Sequence, residues 1–255
     1  MALSLRFYPR YWLALAGFVA GLGALAAQAG EAARPVVVEL YTSQGCSSCP
    51  PADALLGRLA HRPDVLALSL PVTYWDMLGW KDTLASGANT ARQKAYAAAM
   101  GRGGVYTPQM IVDGVNDVVG SRVRAVDSAI AAREADMQAV PVHVRLTPGE
   151  VHVDVGGVKD KPVKDATIWM FRIRPSATVR IGAGENGGRT VTYSNVVRAV
   201  QAVGMWKGKP VSLDLPREAV GNAARDGIAV VVQQSGYGRI LGASAIDTPG
   251  RAHGR

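Results

Sequence analysis

The chain has 255 residues, 48% hydrophobic and 19% charged, with 28 basic and 20 acidic side chains and a net charge of +8. That apolar content excludes a wholly disordered chain, and the basic excess is too small and too scattered to indicate nucleic-acid binding. Two cysteines exclude a disulfide-dense scaffold and any zinc site built from three or four thiolates.

Arg6 and Arg10 precede an uncharged stretch, Tyr11 to Gly30, whose Leu/Ala/Gly-rich centre gives way to Ala27-Gln28-Ala29. A positive start, an apolar middle and a small-x-small end form a secretory signal peptide, so residues 1–29 are expected to be removed and the chain exported, periplasmic or secreted. The alternative is an uncleaved anchor, because about 20 uncharged residues reach across a bilayer; membrane contact is expected through that segment alone. Outside the cytoplasm thiols oxidise readily.

Pro35 to Tyr41 is a β-branched, apolar run that reads as a buried strand. A polar turn, Thr42 to Gly45, leads to Cys46-Ser47-Ser48-Cys49-Pro50-Pro51. Ala52 to His61 then reads as a helix, with Leu55, Leu56 and Leu59 on one face. Val65 to Val72 is a second buried strand, so the segment has the order of a βαβ crossover. Tyr74 to Thr90 is irregular, and Asn89 or Thr90 is expected to cap a helix reaching about Met100. Val105 to Val112 is a strand entered through Pro108, Asp113-Gly114 a tight turn, and Val115 to Val119 the returning strand. Ser121 is expected to cap a helix to about Met137.

The pattern changes near Val140-Pro141. Eight short strands follow, at 142–146, 151–155, 166–173, 178–181, 191–200, 210–215, 227–234 and 240–245, the spacing of a sandwich or barrel. The expected organisation is a signal peptide (1–29), an α/β domain (30–140), a β-rich domain (141–247) and a loose tail (248–255). Gly182 to Gly187 matches G-x-G-x-x-G, but β-type residues follow instead of a helix, so it reads as a hairpin loop. The four histidines show no metal spacing, and neither a metal nor a cofactor is expected.

The Cys46-x-x-Cys49 pair carries the chemistry. Its spacing lets dithiol and disulfide interconvert with little motion, and a helix N-terminus beside it favours thiolate. A static disulfide and a metal clip are the other readings; a loop this short contributes little as an entropic staple. Glu39 lies in an otherwise apolar strand, and a buried carboxylate there would move protons for Cys49. Its alternatives are a solvent-facing strand end or a hydrogen-bond partner for the turn. Trp75, Asp76, Trp80, Lys81 and Asp82 either line a substrate groove or anchor a packed loop. In the β-rich region Glu185, Asn186, Arg189, Tyr193, Asn195 and Arg198 form the densest polar motif. Asn195 is expected to satisfy backbone groups at a bend, and Arg198 to pair with an acid or dock the two halves; the alternative is a surface for a partner or substrate.

These residues resemble a known family. Val38 to Asp53, VELYTSQGCSSCPPAD, is similar to the hallmark of an uncharacterised family of secreted thioredoxin-like proteins, domain of unknown function 1223. Tyr74-Trp75-Asp76, Leu78 to Asp82, Arg92-Gln93, Tyr96, Tyr106 to Gln109, Gly187 to Arg189, Tyr193 to Arg198 and Gly204-x-Trp206 resemble its further motifs. The sequence departs from the family pattern near Pro71 and Thr73, where a His and an Asp are usual. The resemblance implies export and a thioredoxin-like α/β domain followed by a β-rich, sandwich-like domain. It further implies a cis Thr107-Pro108 facing the cysteines and leaving backbone for an extended substrate.

Two functions follow as expectations. One is an exported thiol–disulfide oxidoreductase in which Cys46 attacks, Cys49 resolves, Glu39 assists proton transfer, and Thr107, Pro108, Trp75 and Asp76 hold the substrate. Its partners would be a protein or small thiol or disulfide and a redox partner protein. The other is a non-catalytic binding protein with a structural disulfide and a partner-binding β-rich region.

Overall fold

The computed structural model describes Met1 and residues 34–135, 140–158, 163–217 and 226–246. The expected signal segment, 1–29, and the expected tail, 248–255, lie outside the described residues. In chain order the elements are β1 (Val36–Thr42), α1 (Pro50–Leu59), β2 (Val65–Pro71), a single 3₁₀ turn (Asp76–Leu78), α2 (Gly87–Ala99), β3 (Gln109–Val112), β4 (Asn116–Val119) and α3 (Val123–Ala135). There follow β5 (Val142–Leu146), β6 (Glu150–Val155), β7 (Ala166–Arg180), β8 (Thr190–Trp206), β9 (Val211–Pro216), β10 (Gly227–Gln234) and β11 (Ile240–Ile246).

Eight strands make one mixed sheet in the order β11-β10-β7-β8-β2-β1-β3-β4, and β5-β6-β9 make a second, smaller sheet. This corrects the expected fold class of a thioredoxin-like α/β domain followed by a β-rich sandwich. The described residues are mostly strand with three α-helices, and strands from both sides of Val140 share one sheet. The join is at β8, which meets β2 in parallel at Ser69 and Val196 and runs antiparallel to β7 over nearly its whole length.

Two strands expected at 166–173 and 178–181 are one 15-residue strand, β7. Pro175, which reads as a breaker, sits where β7 has passed the end of its pairing with β10 at Ile173, so its missing N–H leaves no ladder bond unmade on that side. Opposite it, Asn195 bends β8. Its φ is 49°, a left-handed value that Asn tolerates, and its Nδ2 donates to the Ala67 carbonyl at 2.9 Å.

All seven residues of β1 are buried, which is why it reads as a nearly unbroken apolar run. Val37 and Tyr41 join Leu66, Leu68, Tyr96 and Phe171 in one cluster. Val36, Val38 and Leu40, on the other face, pack with α1 and α3 through Ala52, Leu55, Leu56, Val126 and Ile130. At the far end of the sheet Ile228, Val230 and Val232 meet the small sheet through Val151, Val153 and Val155. The Asp113-Gly114 hairpin forms as expected, both residues having positive φ (54° and 72°). The second helix begins earlier than expected, because Ser86 caps it by accepting from the Asn89 N–H at 3.2 Å.

Candidate functional site around the Cys46–Cys49 disulfide

Between β1 and α1 the chain makes a tight loop. The Cys46 N–H donates to the Ser43 carbonyl, and the Cys49 N–H to the Cys46 carbonyl, both at 3.2 Å. Cys46 and Cys49 are joined as a disulfide, and no cysteine is free. Cys49 already has helical angles (φ −78°, ψ −36°), and α1 starts at Pro50, two residues before the start expected from sequence. Proline suits that first turn, where its missing N–H has no partner to lose. Cys46 is 2% exposed and Cys49 fully buried, whereas Ser47 and Ser48 between them are exposed. The Ser48 hydroxyl lies 3.4 Å from Cys46 Sγ.

The loop is pinned from two directions. From the segment after β2, Asp82 accepts from the Gln44 N–H at 2.8 Å, and Trp80 Nε1 donates to the Gln44 side-chain oxygen at 2.8 Å. From the tip of the β7–β8 hairpin, Asn186 Nδ2 donates to the carbonyls of Gln44 (2.9 Å) and Cys46 (2.8 Å), and Glu185 accepts from the Ser47 N–H at 3.3 Å. The hairpin tip is the G-x-G-x-x-G segment. A Cβ on Gly182 would sit 2.8 Å from the Trp80 ring, so glycine there is what lets the tip close on the loop.

Trp75, Thr107 and Pro108 do come together. Trp75 Nε1 donates to the Thr107 hydroxyl at 2.8 Å, and its backbone and Cβ lie 3.2 Å from where a Cβ on Gly45 would stand. The Thr107-Pro108 bond is cis. Asp76 is placed differently: its Oδ1 accepts from the Asp82 N–H at 3.0 Å, so it braces the loop that holds Gln44. Met77 (82% exposed) and Leu78 (43%) leave an apolar lip beside it.

Glu39 is fully buried and spent on structure. Arg92 grips it with Nε and Nη2, both at 2.8 Å, and the hydroxyls of Tyr41 (2.9 Å) and Tyr96 (3.0 Å) donate to it. Burial, with Glu39 second, pushes both tyrosines up. Glu39 shares its face of β1 with Val37 and Tyr41, whereas α1, which begins beside Cys49, packs on the face of Val38 and Leu40. The carboxylate expected to move protons for Cys49 is thus held by Arg92 and two tyrosine hydroxyls.

A different carboxylate stands on the cysteine side. Asp53 lies one turn after Cys49 on α1, its N–H donating to the Cys49 carbonyl at 3.1 Å. It is 5% exposed, and its Oδ1 accepts from the Thr42 hydroxyl at 2.8 Å. Burial pushes its pKa up to about 7; the Thr42 hydrogen bond opposes the rise and Asp82 adds to it. Asp82 is raised as well, again through burial. Arg198, expected to pair with an acid or dock the two halves, donates to the Leu84 carbonyl at 3.1 Å and so holds the same segment.

Glu150, His152 and Asp214 gather on the small sheet, with ligand atoms within 4.8 Å of one another. His152 directs Nδ1 to Asp214 (2.5 Å) and Nε2 toward Glu150 (3.6 Å), so both ring nitrogens face a carboxylate.

Residues 37–233 match the family described as a protein of unknown function, DUF1223. The chain belongs to that family. Among solved structures it is similar to a protein from Agrobacterium tumefaciens, with 38% identity over 85% of this chain and 95% of that one and a TM-score of 0.74. HBP35 of Porphyromonas gingivalis is 12% identical over 87% of this chain and 77% of its own, with a TM-score of 0.62, a likeness of fold alone. No curated protein matches the chain.

Sequence reasoning missed Gln44 and Asp53 as members of the site, and placed Asn186 in a polar motif of the β-rich region. A signal for Asp53 was present: it is four residues after Cys49 in a predicted helix, and so on the same face.

Proposed function

We propose that the protein is an exported thiol–disulfide oxidoreductase whose working group is the Cys46/Cys49 pair. The observation that carries this reading is the placement of both cysteines at the start of a ten-residue helix, in a loop whose Gly45 packs on Trp75, which in turn donates to the Thr107 hydroxyl. The positive end of α1 stabilises a Cys46 thiolate, which attacks a substrate sulfur. Cys49, buried beneath it, resolves the mixed disulfide. Trp75, Thr107 and Pro108 line the approach, and the apolar lip of Met77 and Leu78 suits a peptide chain better than a small polar thiol. Export rests on the Arg6/Arg10, apolar and Ala27-Gln28-Ala29 arrangement, which places the pair where disulfides form.

A second reading has its own support. Asn186, Gln44 and Asp82 hold the loop rigid and Cys46 is nearly covered, as suits a permanent disulfide in a binding protein. A reduction potential measured against glutathione and dithiothreitol separates the two. Catalytic dithiols fall at roughly −120 to −270 mV and structural disulfides below about −300 mV. We expect a value in the first range, with Cys46 alkylated before Cys49 once the pair is reduced. A potential below the second limit overturns the oxidoreductase reading and supports the binding one.

A further inference from the structure

Two thiols that close into a disulfide must lose two protons, and the one on the buried sulfur has no direct route to water. Cys49 is fully buried, and its helical backbone angles bring it into register with α1. Residues four apart on a helix lie one above the other on the same face, about 5–6 Å apart at Cβ. The residue four after Cys49 is Asp53. Its carboxyl is itself buried and takes a hydrogen bond from Thr42, at the end of the strand that leads into the cysteine loop.

Resting on the exchange reading above, we propose that Asp53 accepts the Cys49 proton when the Cys46–Cys49 bond forms and returns it when that bond opens. In the reducing direction the Cys46 thiolate attacks a peptide disulfide. The Cys46–substrate S–S bond forms, the substrate S–S bond breaks, and one substrate sulfur leaves as thiolate. The Cys49 S–H proton then passes to the Asp53 carboxylate, and the Cys49 sulfur attacks Cys46 Sγ. The Cys46–Cys49 bond forms, and the second substrate sulfur leaves as thiolate to be protonated by Asp53 or solvent. The substrate disulfide gains two electrons and the protein dithiol loses two. The reverse sequence oxidises a substrate dithiol.

The surroundings suit that role. A carboxyl that is half-ionised near neutrality both takes and gives a proton, and burial brings Asp53 to about 7. The groups facing it are Thr42 from β1, Asp82 from the segment after β2, and Tyr193 from β8, itself raised by burial and by the two aspartates. From β2 the neighbours in the cluster are Val65 and Ala67, with Ser69 beyond, none of them ionisable. Arg58 in the last turn of α1 and His61 just after it are exposed at the far end. The influences on Asp53 are burial, one hydroxyl and one like charge, with no cation among them.

The test uses the whole exported chain with oxidised glutathione as the probe, following two rates across pH 5 to 9. Alkylation of Cys46 by iodoacetamide reports the first thiol; resolution of the Cys46–glutathione mixed disulfide reports the second. In wild type the resolution rate should bend near pH 7. In Asp53→Asn it should fall 10- to 100-fold below pH 8 and lose the bend while Cys46 alkylation stays unchanged, and Asp53→Glu should restore part of it. Thr42→Val is the second variant, informative even if Asp53→Asn does not fold. Removing the hydroxyl that steadies the carboxylate moves the bend to higher pH. Resolution that keeps its rate and bend without the Asp53 carboxyl, or a bend unmoved in Thr42→Val, overturns this inference and leaves the exchange reading standing. A wild-type disulfide that neither glutathione nor dithiothreitol opens overturns both.

Discussion

Two buried carboxylates flank the same strand and have opposite surroundings. Glu39, on one face of β1, receives a two-pronged Arg92 grip and two tyrosine hydroxyls, and that guanidinium lies 5.1–5.5 Å from the rings of Tyr96, Trp169, Phe171 and Tyr237. Asp53, on the other side, has a single hydroxyl and a neighbouring aspartate. Burial alone therefore does not say what a carboxylate is for. A carboxylate matched by a fixed cation becomes part of the frame; one left without a cation has its titration moved toward neutrality. The first locks α2 and β10 to β1 through Arg92 and Gln233. The second sits under the disulfide.

Removing the cation is the hardest way to break this contrast. In Arg92→Ala, Glu39 remains buried with only tyrosine donors, and breaking such a pair from one side costs about 3–5 kcal/mol. Lost packing against four aromatic rings adds to that. Chemical denaturation at pH 7 should show the loss. A loss under about 1 kcal/mol at pH 7 would mean that Arg92 does not hold Glu39 in solution.

Asp53→Asn should act in the opposite sense. The folded chain raises this carboxyl from 3.8 to about 7. Below pH 4 it is neutral in both states. Between 4 and 7 the unfolded chain releases the proton while the folded chain keeps it, so stability falls as pH rises, and above 7 the loss is complete. At 1.36 kcal/mol per pH unit the loss is at most ~4 kcal/mol. Asparagine carries no such loss and still accepts from Thr42. The oxidised variant should therefore melt higher than wild type at pH 8, with the gap closing toward pH 4. A gap that does not change with pH would show that Asp53 is not raised.

The same contrast explains what was legible in the sequence. Glu39 was visible as an acid inside VVVELYT, because one charge in an apolar strand is conspicuous. Its partner was not: Arg92 lies 53 residues away, on a helix whose packing face depends on how the sheet closes. The cysteine loop, the Asp113-Gly114 turn and most strands are local patterns, and they formed as read. The single sheet is non-local. Nothing in Val191 to Val200 announces that its flank meets β2 in place of solvent, and the two strands expected at 166–173 and 178–181 are one long strand that passes beyond the reach of β10. Asn186 illustrates the consequence. It was read in a polar motif of the β-rich region, yet the length of the β7–β8 hairpin carries it to the carbonyls of Gln44 and Cys46. Asn186→Ala removes the side-chain donor from both carbonyls, though that of Cys46 keeps the Cys49 N–H at 3.2 Å, and should cost about 1–3 kcal/mol. It should also speed opening of the disulfide by dithiothreitol, since the loop loses its upper clamp. Unchanged opening would show that access to Cys46 does not depend on the hairpin tip.

The smallest change sharpens the comparison most finely. Tyr96→Phe removes one donor from Glu39, yet Oε1 keeps Arg92 Nη2 at 2.8 Å, and Gln233 Nε2, which also pointed at the hydroxyl, keeps the Gly238 carbonyl at 2.9 Å. Every polar group left behind still has a partner, so the loss should be that of one ordinary hydrogen bond, about 1 kcal/mol, and the same at pH 5 and pH 8. Thr42→Val also deletes one hydroxyl, but from a carboxylate with no cation. Its cost should therefore grow with pH, being small where Asp53 is protonated and larger where it is charged. Denaturation of both variants at the two pH values checks the pair. If the Tyr96→Phe loss rises with pH as that of Thr42→Val does, the Arg92 grip does not set Glu39 apart from Asp53, and the distinction between the two carboxylates fails.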